Sequence, residues 1–269
     1  MLRERDRAVV ADFAARFARR LSGIVVHDHA DMGERTGELV AALRELDTRL
    51  ARSPGAPWLF LEYAAGLEPG LFVDLAERLR NAERVSCCID VGHVGIRQAC
   101  ARFAGEHPDI SLRSLTPQDK RLPDLVTDVQ DAVASALHNT LEMTRSIGRL
   151  GKNLHFHLHD GHPLVGGLAD HFTFLMRLPI PFSHEGRKSL ATLYGPAGLA
   201  AIVAAAAEAC GLDRASFTLE IHQAEGRLPV GDAESLFRHW PDTTNAERMN
   251  YWLSVLAQNA MLVDQDLPG

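Results

Sequence analysis

Apolar positions along this chain follow two different periods. A helical spacing covers about 5–21, and a short unbroken run, Gly23-Ile24-Val25-Val26, then leads into His27-Asp28-His29. Leu39, Leu43, Leu46 and Leu50 predict a second helix over about 34–52, closed by Ser53-Pro54-Gly55. Trp58-Leu59-Phe60-Leu61 reads as a strand ending at Glu62, followed by a helix over about 70–81. The next strand, Val85 to Ile89, ends at Asp90. A helix over about 93–104, a polar loop over 105–123 and a long helix over about 124–148 make the next connection. Leu154 to His159 is the fourth strand, and an irregular stretch rich in Gly and Pro covers 161–195. An Ala-rich helix over 197–210 precedes the strand Phe217-Thr218-Leu219, which ends at Glu220. Helices over about 232–239 and 244–263 follow.

Strands and helices alternate, and most strands are short and wholly apolar. Parallel strands need this pattern when helical crossovers cover both faces of the sheet. Each strand also ends at a residue able to ligate a metal: His27, Glu62, Asp90, His157 and Glu220. In a closed parallel barrel the strand C-termini converge on one rim. Carboxylates there are costly unless paired or bound to a cation, so five such ends in succession point to a divalent metal.

The fourth strand carries the sharpest local signal. In His155-Phe156-His157-Leu158-His159-Asp160 the two-residue period puts three imidazoles on one face. His157 is the expected ligand, and His159 is expected either to contact substrate or to support the ligands from behind. Asp90-Val91-Gly92-His93 adds a carboxylate at a strand end and an imidazole at the start of a helix. Oxygen and nitrogen donors without thiolate suit Mn, Mg, Co or Zn. His107, His138 and His239 read as surface residues, while His29, His162, His184 and His222 fall near the rim.

Composition narrows the function classes. Of the 269 residues, 46% are apolar and 23% charged, which suits a globular chain with a sizeable core. The net charge of -7 and the lack of a basic stripe speak against a nucleic-acid partner. The N-terminal arginines (Arg3, Arg5, Arg7, Arg16, Arg19, Arg20) alternate with acidic and apolar residues, as on a solvated helix face. Cys87, Cys88, Cys100 and Cys210 form no CxxC and read as reduced thiols. No secretory leader and no membrane-length apolar stretch is visible, so the expectation is a cytoplasmic protein. No Gly-rich phosphate fingerprint follows any strand.

Five segments in this order resemble the xylose isomerase-like TIM barrel superfamily: Val25-Val26-His27, Leu59 to Gly66, Cys88 to His93, Phe156 to Asp160, and Thr218-Leu219-Glu220. That superfamily holds sugar isomerases, ketose epimerases and AP endonucleases of the endonuclease IV type. The resemblance implies an α/β fold, a TIM-type (β/α) barrel, as a single domain over 1–269 with extra helices over about 232–263. His27 ends what looks like the fourth of eight strands, so about five strands are expected and the barrel reads as N-terminally truncated. The helices over about 5–21 and 244–263 are then the spare elements able to cover the opening, and homo-oligomerisation is the other way to close it.

By the same resemblance, one metal is held by Glu62, Asp90, His157 and Glu220. Glu62 and Glu220 double as a proton-transfer pair, and His93 touches substrate oxygen. In the endonuclease branch additional metals are bound, for which His27 and the Asp170-His171 pair are the counterparts; the latter spacing departs by one residue, and in the epimerase reading that pair faces substrate. The Arg that follows the fourth-strand His in epimerases is absent. The expected activity is isomerisation or epimerisation of a small sugar or polyol-like molecule. The alternatives are a metal-dependent hydrolase and a non-catalytic incomplete barrel.

Overall fold

The computed structural model describes residues 3–115, 119–165, 168, 171–175, 183–184, 187–188, 191–221 and 246–266. The elements run α1 (Glu4–Arg16), β1 (Gly23–His27), α2 (Asp31–Glu34), α3 (Thr36–Ala51), β2 (Trp58–Tyr63), α4 (Pro69–Arg78), β3 (Val85–Asp90) and α5 (Val91–Glu106). After a single 3-10 turn at Leu112–Ser114 come α6 (Leu122–Gly148), β4 (Leu154–Leu158), β5 (Ser183–His184), β6 (Arg187–Lys188), α7 (Gly195–Cys210), β7 (Ala215–Leu219) and α8 (Ala246–Asp266). The fold is α/β, with a five-stranded all-parallel sheet in the order β1-β2-β3-β4-β7. Among the described residues no strand joins β1 to β7, so the sheet is open, as a partial barrel of the TIM type would be. β5 and β6 form a separate two-stranded antiparallel ribbon.

The chain divides into two compact units: residues 1–90, 143–156 and 208–217, and residues 91–142, 157–207 and 218–269. In the first unit β1 pairs with β2 so that His27 stands opposite Glu62, and β2 pairs with β3 so that Glu62 stands opposite Cys88. Every residue of β3, and all of β2 after Trp58, is buried. β1, with only β2 beside it among the described residues, is half-buried from Gly23 to Val26 and exposed at His27. Leu39, Leu43, Leu46 and Leu50 form the buried face of α3, as their spacing predicts. α4 begins at Pro69, whose fixed φ and missing N–H suit a first helical position. Lys152 donates to the carbonyls of Leu79 and Val85, tying the end of α4 to the start of β3.

Two helices of this unit differ from the pattern-based expectation. The one expected over 5–21 stops at Arg16, because Arg19 adopts a left-handed φ of 64° and its N–H turns to the Gly55 carbonyl at 2.8 Å. α1 lies along α3 rather than spanning an opening in the sheet. Arg7 reaches Glu45 at 3.0 Å and Arg49 reaches Glu4 at 2.6 Å. The helix expected over 34–52 is two, broken at Arg35, and the Thr36 hydroxyl donates to the Gly33 carbonyl at the break.

In the second unit α5 follows β3 with no intervening loop, earlier than the expected residue 93. α6 buries Val126, Val129, Val133, Ala136 and Thr140 along one face. α8 is pinned by the fully buried Asn259. Its carbonyl accepts from the Phe174 N–H, and its amide donates to the Thr173 hydroxyl and the Val255 carbonyl. Trp252 and Val263 of α8 are buried, while Leu253 and Met261 stay more than half exposed. The helix expected over 232–239 lies outside the described residues. No helix among the described residues is long and apolar enough to cross a membrane.

Candidate metal centre

The parallel register brings the ends of β1, β2 and β3 to the same side of the first unit. His27 Nε2 lies 3.3 Å from Glu62 Oε2; the imidazole is 61% exposed and the carboxylate almost wholly buried. Two residues beyond Cys88, the Glu62 partner on β3, comes Asp90, which has no exposure at all. Glu62 and Asp90 each present a carboxylate oxygen within 4.8 Å of the other. Two buried carboxylates that close repel each other and favour a cation beside them.

Asp28 follows His27 and was not expected from the sequence to matter. Its buried carboxylate accepts the N–H groups of Ala64, Gly66 and Leu67 at 2.9–3.0 Å. It therefore shapes the turn that leaves β2 just past Glu62. Gly66 is required there, since a Cβ would run into the backbone of His29. His29 itself is exposed.

The second unit gathers four histidines and a glutamate. His157 Nδ1 lies 2.8 Å from Glu220 Oε2, and His171 Nδ1 lies 3.9 Å from Glu220 Oε1. The rings of His159 and His171 stack at 3.8 Å with 13° between their planes. His93 meets both edge-on, with centroids at 5.6 and 5.4 Å. His93, His159 and His171 are all buried and bring ring nitrogens within 4.8 Å of one another.

Two of these rings are oriented by backbone carbonyls. His159 Nδ1 donates to the Asp160 carbonyl at 2.9 Å, and His93 Nε2 donates to the Leu168 carbonyl at 3.2 Å. A carbonyl can only accept, so the neutral rings carry their lone pairs on His159 Nε2 and His93 Nδ1. Fixing a tautomer through the opposite nitrogen is how histidines are prepared for ligation or for accepting a proton. His155, the third histidine of the strand, is used differently. Its Nδ1 pairs with the Ser216 hydroxyl at 2.8 Å, and its ring packs on Phe60.

Asp160, which closes the histidine run in the sequence but was given no role there, is fully buried. Burial raises its carboxyl above the ordinary range, opposed by the Thr192 hydroxyl and the N–H groups of Gly195, Gly161 and Tyr194. Only its place beside the histidine run marks it in the sequence.

Of the residues expected at the site, the first unit brings together His27, Glu62 and Asp90, and the second brings together His93, His157, His159, His171 and Glu220. Asp170, His222 and His239 lie outside the described residues. His138 is exposed, as expected. His107 is half-buried, held by Asp128 at 2.7 Å beside Glu106, which pairs with Arg102, so these groups already have partners. All four cysteines are free thiols, and burial pushes Cys87 up to about 12.

Buried carboxylate and imidazole groupings of this kind could hold a divalent ion, and their donor chemistry fits Mn, Mg, Co or Zn. In comparisons with known proteins, no family model, no curated protein and no solved structure matches this chain.

Proposed function

We propose that this chain is a divalent-metal-dependent isomerase or epimerase of a small sugar or polyol-like substrate. The metal ligands in this proposal are Glu62, Asp90, His157 and Glu220, with His27, beside Glu62, as a further donor. One observation carries the reading. Asp90 ends β3, Glu62 and His157 are the last residues but one of β2 and β4, Glu220 follows β7, and these four strands are consecutive in the sheet. The C-terminal ends of parallel strands are where barrel enzymes assemble their chemistry.

A bound divalent ion supplies polarisation of a substrate carbonyl and its neighbouring hydroxyl. Glu62 removes the proton from the hydroxyl-bearing carbon next to the carbonyl, and Glu220 returns one to that carbon from the other side. His157, 2.8 Å from Glu220, holds that carboxylate in a fixed orientation. His93, His159 and His171 bind substrate oxygens, the first two with ring tautomers already set by backbone carbonyls.

Elemental analysis after mild purification is expected to give about one divalent metal per chain, falling sharply in Glu220→Gln. Incubation with ketoses in deuterated water is expected to exchange a substrate C–H, and Glu62→Gln is expected to stop that exchange while the fold persists. Metal far below one equivalent, unchanged by Glu220→Gln, defeats the metal assignment. Exchange retained in Glu62→Gln defeats the proton-transfer role.

A second reading is a metal-dependent phosphodiester hydrolase. It is favoured by His27 beside Glu62 and His171 beside Glu220, which extend the donor set beyond four. Cleavage of an abasic-site oligonucleotide with no ketose exchange would select it.

A further inference from the structure

The histidine cluster of the second unit is held by contacts that meet at one phenol. Asp160 leaves β4 directly after His159, and its carboxylate accepts the N–H groups of Tyr194 at 3.2 Å and Gly195 at 2.8 Å. These residues lead into α7, so the carboxylate sits where a helix N-terminus favours negative charge. Gly195 takes a left-handed φ of 59° to make that approach. Anchored in this way, Tyr194 reaches across the unit, and its hydroxyl donates to the Val91 carbonyl at 2.5 Å. The Thr140 hydroxyl, 2.8 Å away, is its second partner.

Val91 is the peptide between Asp90 and the turn that carries His93. Two glycines keep this turn open to its neighbours. A Cβ on Gly92 would sit inside the His159 ring, and a Cβ on Gly95 would collide with the Tyr194 hydroxyl. The His159-Asp160 pair thus grips the turn from two directions. His159 covers Gly92 directly, and Asp160 acts through Tyr194 on Val91. The Leu168 carbonyl fixes only the far side of the His93 ring.

We infer that Tyr194 is a positioning residue for the candidate centre: with its backbone N–H held by Asp160, its hydroxyl fixes the Asp90-Val91-Gly92-His93 turn and thereby the Asp90 carboxylate and the His93 imidazole. The inference rests on the proposed metal function for its consequence on affinity, but not for its consequence on the His93 ring. Phenylalanine at 194 keeps the packing against Gly198 and removes only the hydroxyl that meets Val91 and Thr140.

Tyr194→Phe is therefore expected to weaken Mn²⁺ binding, measured by competition with a chelator, about ten-fold, within the range found when a partner behind a ligand is removed. In metal-free protein labelled with ¹⁵N-histidine, the His93 ring signals are expected to change from one tautomer to a mixture. Gly95→Ala, whose Cβ pushes the hydroxyl aside while residue 194 stays tyrosine, should reproduce both changes. Leu43→Ala, a cavity in α3 of the other unit, should lower stability and leave both readouts as in wild type. Unchanged Mn²⁺ affinity and unchanged His93 signals in Tyr194→Phe would overturn the inference. If the wild-type chain binds no Mn²⁺, the metal reading fails, and the His93 signals alone then decide the role of Tyr194.

Discussion

At His162, burial and hydrogen bonding act in the same direction. The ring is fully enclosed, which pushes its pKa down to about 4, and its Nδ1 accepts the Leu164 N–H at 3.2 Å. Both favour the neutral imidazole. In the unfolded chain the same ring protonates near pH 6.5. The unfolded state therefore binds the extra proton between about pH 6.5 and 4, and stability falls as pH drops through that window. The loss attributable to this residue is roughly 3 kcal/mol. Urea midpoints measured from pH 7 to pH 4 should fall steeply in wild type and less steeply in His162→Asn; parallel slopes would mean that His162 is not the group responsible. Residues of this kind are only half-visible in a sequence. Glu62, Asp90, His157 and Glu220 stood out because polar residues ending apolar strands break a pattern. Asp160 and Tyr194 did not, because their roles depend on a 34-residue separation closed by backbone N–H groups, which no local period records.

At the scale of elements, β2 and β3 were legible because burial on both faces demands uninterrupted apolar runs, whereas the ribbon of β5 and β6 fell in the stretch read as irregular. Helix ends were less legible. α1 stops early for a reason external to it, the Gly55 carbonyl that captures the Arg19 N–H. The break between α2 and α3 turns on one threonine hydroxyl. The turn after β2 shows how a single side chain sets a connection, since Asp28 accepts three N–H groups there. Asp28→Ala leaves those donors buried without their acceptor and is expected to cost on the order of 3 kcal/mol. Because this turn follows Glu62 immediately, metal affinity should fall as well. Asp28→Asn, which keeps one acceptor oxygen, should lie between the two. Chemical denaturation and chelator competition on the same samples measure both effects; an alanine variant as stable as wild type would show that water replaces the carboxylate without loss.

For the whole molecule, the open sheet is the dominant fact. β1 is an apolar strand, Gly23-Ile24-Val25-Val26, with only β2 beside it among the described residues. Unpaired apolar edges invite association unless they are covered. Light scattering is expected to find a mass that rises with protein concentration, and Val25→Lys, which places a charge on this edge strand, is expected to reduce the rise. A mass that stays at one chain across the concentration range would mean that the edge is already protected. The expectation of an incomplete barrel came from counting strands, which a sequence permits. Which elements lie against which could not be read in the same way: α1 looked available as a cover, yet its ion pairs with Glu45 and Arg49 commit it to α3.

That attachment has a consequence for how the chain comes apart. α1 buries only Ala14 completely and keeps Val9 and Phe13 largely in water, so little apolar area holds it down. Its grip is mostly ionic, and ionic contacts at a surface weaken as salt shortens the range of charge. The N-terminal helix should therefore be the first region to open under native conditions, in a local step far cheaper than global unfolding. Trypsin should cut first among Arg16, Arg19 and Arg20 and leave the rest of the chain intact. Raising the salt should hasten that first cut, although it slows or leaves unchanged the loss of the remaining structure. Mass spectrometry of a timed digest at low and high salt would show the helix released early in both, and earlier in the second.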